Sequence, residues 1–199
     1  PMAYLDCDVE EPNGHLFLRP VLTEQQIVEV PIPQVDEEAC RAAGVCGLCG
    51  KVCHFSAIVC LGQVVVVNAD LCHGCGACVT ACPANALKEV PHRTGVVESG
   101  EAGAIRFVHG LLDVGQAMAT PVVRRVKALS PTGRIVLADA PPGTTCPTVE
   151  TVRDSDLVLL VAEATPFGFH DFTLAADMVQ AIELRAAAVL NRVDAPVHD

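Results

Sequence analysis

Short apolar runs recur through the second half of the chain: "AIRFVH" at 104–109, "RIVLAD" at 134–139, "LVLLVA" at 157–162 and "AAVLN" at 187–191. They lack sustained polar alternation, so they predict strands buried on both faces of a parallel sheet. Helical spacing predicts helices near 120–129, 147–153 and 171–184, with Pro121 and Pro147 suited to a first turn. "YLDCD", from Tyr4, reads as one more strand. The middle of the chain behaves differently. "VEVPIPQV" at 28–35 carries two prolines and reads as a linker or edge segment, and "KEVPHRTGVVESGEAG" at 88–103 is charged and turn-rich. These are the expected seams of an insertion. Residues 1–30 and 96–199 then form an α/β frame, and residues 31–95 a separate module.

Composition narrows this picture. The chain is 51% hydrophobic with 4% aromatic residues and no Trp, which suits a Val/Ala/Leu core between sheet and helices. A net charge of −11 argues against nucleic acid or anionic lipid as partners. No apolar run approaches the roughly 18 residues of a membrane span, and no signal-like segment opens the sequence. The expectation is a soluble, cytoplasmic protein. Eleven cysteines in 199 residues then point to metal rather than to a disulfide framework.

Nine of those eleven lie between Cys40 and Cys82. "LCHGCGACVTACP" places Cys72, Cys75, Cys78 and Cys82 at C-x2-C-x2-C-x3-C-P, the bacterial ferredoxin spacing. Three thiolates from one tight loop reach three irons of a cubane, and the fourth reaches the neighbouring cluster. An internal repeat supplies the rest. Cys46, Cys49, Cys53, Ala57 and Ile58 match Cys75, Cys78, Cys82, Ala86 and Leu87 at a constant offset of 29. That offset puts Ala43 where the first ligand should stand. Upstream, the Val35–Cys40 spacing matches Val67–Cys72, so Cys40 is the displaced first ligand of a loop lengthened by three residues. Crossed ligation gives two [4Fe-4S] clusters: Cys40, Cys46, Cys49 and Cys82 for one, Cys72, Cys75, Cys78 and Cys53 for the other. Cys60 is a reserve ligand or a small buried thiol, and cross-braced zinc is the competing metal. His54 and His73, beside ligands, receive no role.

The frame adds "DCDVEEPNGHLFLRP", "DAPPGTTCP", "EATPFGFHDF" and "VLNRVD". With the cysteine runs, these stretches resemble the MinD-superfamily P-loop ATPases that carry an inserted ferredoxin domain, relatives of the Mrp/ParA and nitrogenase iron-protein group. The resemblance implies a P-loop NTPase frame binding ATP and Mg²⁺. Asp6 and Asp8 would be the switch I carboxylates, with Asp8 alternatively a solvated loop acid. Asp139 and Gly143 would be the Walker B and switch II pair. Asn191 would recognise adenine, or merely cap a strand. The family's Gly-rich phosphate loop does not occur in these residues, because Gly50-Lys51 sits inside a cysteine run and is followed by Val52. The resemblance therefore implies a fragment, with the loop, its strand and its helix upstream of Pro1 and further chain beyond Asn191. It also implies a strand lost from the middle of the sheet, leaving apolar faces and edges unpaired.

The leading expectation is an iron–sulfur ATPase, coupling nucleotide-driven switching to electron transfer or metallocluster assembly on a protein partner, homodimeric when full-length. The alternatives are a ferredoxin-type electron carrier on an α/β scaffold, and an Mrp-like cluster carrier. For the last, no C-x2-C lies between Val90 and Asp199, where only Cys146 occurs. Cys7 and Cys146 flank the expected nucleotide site and read as small buried thiols.

Overall fold

A computed structural model describes residues 2–42 and 44–193. The chain enters on β1 (Met2–Asp6), turns through the short helix α1 (Gly14–Leu18) and leaves along β2 (Val21–Val35). A cysteine-rich module follows, made of α2 (Glu37–Ala42), α3 (Leu48–Val52), the hairpin β3 (Ile58–Leu61) and β4 (Val64–Val67), and α4 (Ala77–Thr80). The chain returns on β5 (Leu87–Ala102). It continues through β6 (Ile105–Leu112), α5 (Thr120–Ala128), β7 (Ile135–Asp139), α6 (Cys146–Val152), β8 (Val158–Glu163), α7 (Pro166–Ala181) and β9 (Ala186–Asn191).

Five strands form one mixed sheet in the order β2-β5-β6-β1-β7. β1 runs parallel to β6 and β7, whereas β5 is antiparallel to both β6 and β2. The fold is therefore mixed α/β. Its core lies under one face of the sheet, where Val122, Val123 and Val126 of α5 meet Leu5, Cys7, Val97 and Val108. Pro121 opens α5 as expected, because a first-turn residue needs no N–H partner. α7 begins five residues before the expected 171. Thr165 Oγ1 accepts the Gly168 N–H at 3.0 Å, and the Thr-Pro pair that starts the helix was obscured by the glycine after it.

Two expectations fail. The proline-bearing 28–35 is an edge segment rather than a linker, and 88–103 is strand rather than turn, since the two belong to one antiparallel ladder from Val21↔Glu101 to Val35↔Leu87. Pro31 faces Pro91 directly across it. Opposed prolines are tolerated because alternate pairs of an antiparallel ladder exchange no hydrogen bond, and β2 is an edge strand. The register shifts between Val28 and Glu29, where Thr94 is the extra residue, so the transition expected near 30 and 96 falls at a bulge inside continuous strands. The second failure concerns burial. Among the described residues, β7 has a neighbour on one side only, and β8 pairs with β9 as a separate parallel pair. Ile135, Leu137, Leu159, Val161 and Leu190 are consequently exposed, not sandwiched. A small cluster of Val152, Val158 and Val179 is packed by Ala140 and Leu160, linking the end of β7 to β8 and α7.

Candidate metal centres

The repeat legible in the cysteine spacing is also a repeat in backbone geometry. α3 and α4 each start behind a left-handed glycine, Gly47 at φ +68° and Gly76 at φ +71°, at the same offset of 29. A residue without Cβ enters that region at little cost, and the chain turns from the thiol loop into the helix. Cys49 and Cys78 are thereby buried in the first turns. Cys53 caps α3, and Cys82 follows the cap of α4.

These turns bring eight thiols around two cavities. Cys53, Cys72, Cys75 and Cys78 line the first, of about 390 Å³ counted with the solvent at its mouth, beside Pro31, Phe55, Ile58 and His73. Cys40, Cys46, Cys49 and Cys82 line the second, of about 470 Å³ on the same measure, beside Val35, Val65 and Leu87. In each quartet three thiols come from one half of the repeat and the fourth from the other. Among the described residues, no three His, Cys, Asp or Glu side chains converge closely enough to hold one metal ion. An all-sulfur donor set around an apolar space fits an iron–sulfur cluster.

The surroundings suit that group. The core of the module consists of Cys49, Ile58, Cys78 and Leu87, packed by Val35, Val52, Val65 and Val67. Burial pushes the Cys49 thiol up to about 12, with the neighbouring Cys60 adding to the shift, and raises Cys40 and Cys78 as well. These thiols hold their protons more firmly than a free cysteine does, so metal entry there releases protons. The Ala86 N–H donates to Cys82 Sγ at 3.3 Å, a contact of the kind that tunes a cluster. Cys60 does not line the cavity; its Sγ lies 3.8 Å behind that of Cys49. His73, given no role from sequence, stacks on Phe55 with ring centroids 3.4 Å apart, at the wall of the first cavity. The histidine was visible beside its cysteine, but its aromatic partner eighteen residues upstream was not.

The residues expected at a nucleotide site lie elsewhere. Asp6 and Asp139 are register partners at the ends of adjacent parallel strands. Asp6 is buried, one oxygen accepting the Gly14 N–H at 2.8 Å and the other the Asp8 N–H at 3.3 Å. Burial raises its pKa, opposed in part by the Gly14 hydrogen bond. Asp139 is exposed and accepts the Tyr4 hydroxyl. Asp8 is half-buried in the following loop. Gly143 adopts φ +84° beyond β7, and Asn191 ends β9, exposed, with its Oδ1 taken by the Arg192 N–H. The register also shows a polar row that no sequence signal announced: Gln25, Glu98, His109, Asp6 and Asp139, one from each strand of the sheet. His109 Nε2 lies 2.9 Å from Glu98, buried beneath α1 residue His15.

Comparison with known proteins bears on the cysteine module. Residues 65–88 match the 4Fe-4S binding domain family. The chain thus carries a ferredoxin-type 4Fe-4S domain. An uncharacterized protein of Methanocaldococcus jannaschii is 32% identical over 172 residues, 84% of this chain and 58% of that protein. A second from the same organism is 28% identical over 193 residues, 96% of this chain and 68% of its own length. The chain therefore spans under three-fifths of the first relative and about two-thirds of the second. A subunit of the tungsten-containing formylmethanofuran dehydrogenase 2 of Methanopyrus kandleri is 42% identical over 52 residues, 25% of this chain and 65% of its own length. None of these likenesses supports the ATP-binding roles or the MinD/ParA frame. Among the described residues, no helix is long and apolar enough to cross a membrane.

Proposed function

We propose that this protein is an iron–sulfur electron carrier whose module holds two [4Fe-4S] clusters on a mixed α/β scaffold. The observation that carries the reading is the crossed pair of thiol quartets, each around its own apolar cavity. When bound, a cubane supplies a one-electron store. The chain's residues do the remainder. Cys40, Cys46, Cys49 and Cys82 hold one group, and Cys53, Cys72, Cys75 and Cys78 the other. Val35, Val65, Ile58 and Leu87 exclude water from between them. Each quartet offers one thiol per iron and leaves no iron open to a substrate, which suits electron exchange rather than bond chemistry. The family match at 65–88 supports the same reading.

The test is anaerobic reconstitution followed by iron analysis and electron paramagnetic resonance. Wild-type protein should bind about eight irons per chain and bleach with dithionite. Cys40→Ala or Cys82→Ala should lose about half the iron, whereas Cys60→Ala should lose none. Colourless protein holding zinc would overturn the reading.

A nucleotide-switched carrier is a second reading. Its one specific support is the Asp6–Asp139 pair at parallel strand ends with Gly143 beyond. It predicts that ATP with Mg²⁺ alters the reduction rate of the full-length protein, and an unchanged rate removes it.

A further inference from the structure

The module has an outer surface that its inner chemistry does not explain. In the β3–β4 hairpin, Ile58, Cys60, Val65 and Val67 face inward and pack with the thiols. Ile58 lines the first cavity and Val65 the second, so the hairpin roofs both centres. The alternate residues face out as two directly opposed pairs, Val59↔Val66 and Leu61↔Val64. They are 46%, 48%, 63% and 51% exposed respectively. A hairpin with one solvated face ordinarily puts polar residues there, and exposed strand pairs are usually protected by charge. Here "FSAIVCLGQVVVV", residues 55–67, contains no charged residue, in a chain of net charge −11.

We propose that this aliphatic face docks a protein electron-transfer partner through an apolar patch of the partner's own. The inference rests on the electron-carrier reading and adds to it the place and the chemistry of the encounter. Size selects the occupant. Four half-exposed aliphatic side chains present on the order of 300 Å², the scale of functional patches on monomers. A stable dimer takes about 800 Å² from each partner, whereas transient redox encounters fall below about 1,200 Å² in total. A second copy of this chain is thus poorly served by so small a face, and a brief electron-transfer contact is well served. Position agrees, since a partner seated there stands one strand's thickness from both thiol quartets. Charge agrees too. An acidic protein that leaves this face uncharged recognises its partner by apolar contact, so binding should vary little with salt. The exchange moves one electron from the partner's redox centre to the module, or back, with no bond made or broken and no proton transferred.

The test uses the reconstituted full chain and an NADPH-dependent ferredoxin-reducing flavoprotein as the probe. Hydrogen exchange should show protection confined to residues 58–67 when the probe is added. The neutral double variant Leu61→Asn/Val66→Asn should weaken Kd at least tenfold at both low and high salt, with iron content and dithionite bleaching unchanged. Val21→Asn, on an exposed apolar residue of β2, should bind as wild type does. Absence of binding, equal Kd in the hairpin variant, or protection elsewhere overturns the proposal. So does a wild-type dimer that the double variant converts to monomer, since a second copy would then own the face. Failure to take up iron or to bleach with dithionite would instead sink the electron-carrier reading, and the two failures are thereby separated.

Discussion

Asp6 is a carboxylate held away from water at the end of β1, and its charge works against folding. Its folded-state pKa is raised above the ordinary 3.8, chiefly by burial, so the folded protein binds that proton more readily than the unfolded chain. This group's contribution to stability therefore grows as pH falls through the raised value towards 3.8, and is constant below that. Asp6→Asn keeps an acceptor for the Gly14 N–H and removes the charge. The variant should gain up to about 4 °C in Tm at pH 7, with the gain vanishing in acid, as calorimetry across pH would show. A lower Tm at pH 7 would mean that the two backbone hydrogen bonds depend on the charge. Position and chemistry of Asp6 were legible in "YLDCD", because an acid closing an apolar run marks a strand end. What it bonds was not, since the Gly14 N–H arrives from the start of α1, eight residues on. The thiols were far more legible. Their spacing is local and cluster geometry is strict, so the spacing alone groups the same thiols that line each cavity.

At the scale of elements, the β2–β5 ribbon and the two glycine-led helices carry the arrangement. Gly100 sits where β5 crosses β2 so closely that a Cβ would run into the Val21 carbonyl. Gly100→Ala should cost about 2–3 kcal/mol, read as an earlier urea midpoint, without altering iron uptake. Gly76→Ala acts differently. A side chain at φ +71° costs roughly 1–2 kcal/mol, and it stands between Cys75 and Cys78. The expected result is loss of the cluster at the first cavity with the second retained, measured as about half the iron. The ribbon itself was illegible because pairing across some seventy residues leaves no local trace, and the prolines in the two segments argued against it. The strands and helices of the second half were readable from periodicity alone. Periodicity alone pointed to burial on both faces, because it says which residues are apolar and never what will cover them; the expectation of unpaired apolar faces and edges came only with the family resemblance.

At the scale of the molecule, the two halves lean on different forces. The sheet under α5 has an aliphatic core of its own, whereas the module's core is small and half of its buried residues, Cys49 and Cys78, are thiols of the two quartets. A core that small needs metal to stand. Iron removal by a chelator should abolish the module's thermal transition while leaving the sheet's far-UV circular dichroism largely intact, and a single joint loss would show the halves to be one cooperative unit. The open edge of β7 is a separate liability, because exposed Ile135 and Leu137 invite pairing with other chains. Ile135→Lys should raise the solubility limit of the 199-residue chain with little change in Tm.

The module enters and leaves by one doorway. The Asp36 N–H donates to the Ala86 carbonyl at 2.8 Å, closing the ribbon just before the first helix. Everything between those residues is in effect a cassette, whose two ends already lie where a tight turn would put them. Replacing residues 37–85 with Asn-Gly should leave a plain hairpin on the sheet, and a graft of the excised piece would have to take Pro31, Val35 and Leu87 with it, because these residues of the ribbon line the thiol cavities.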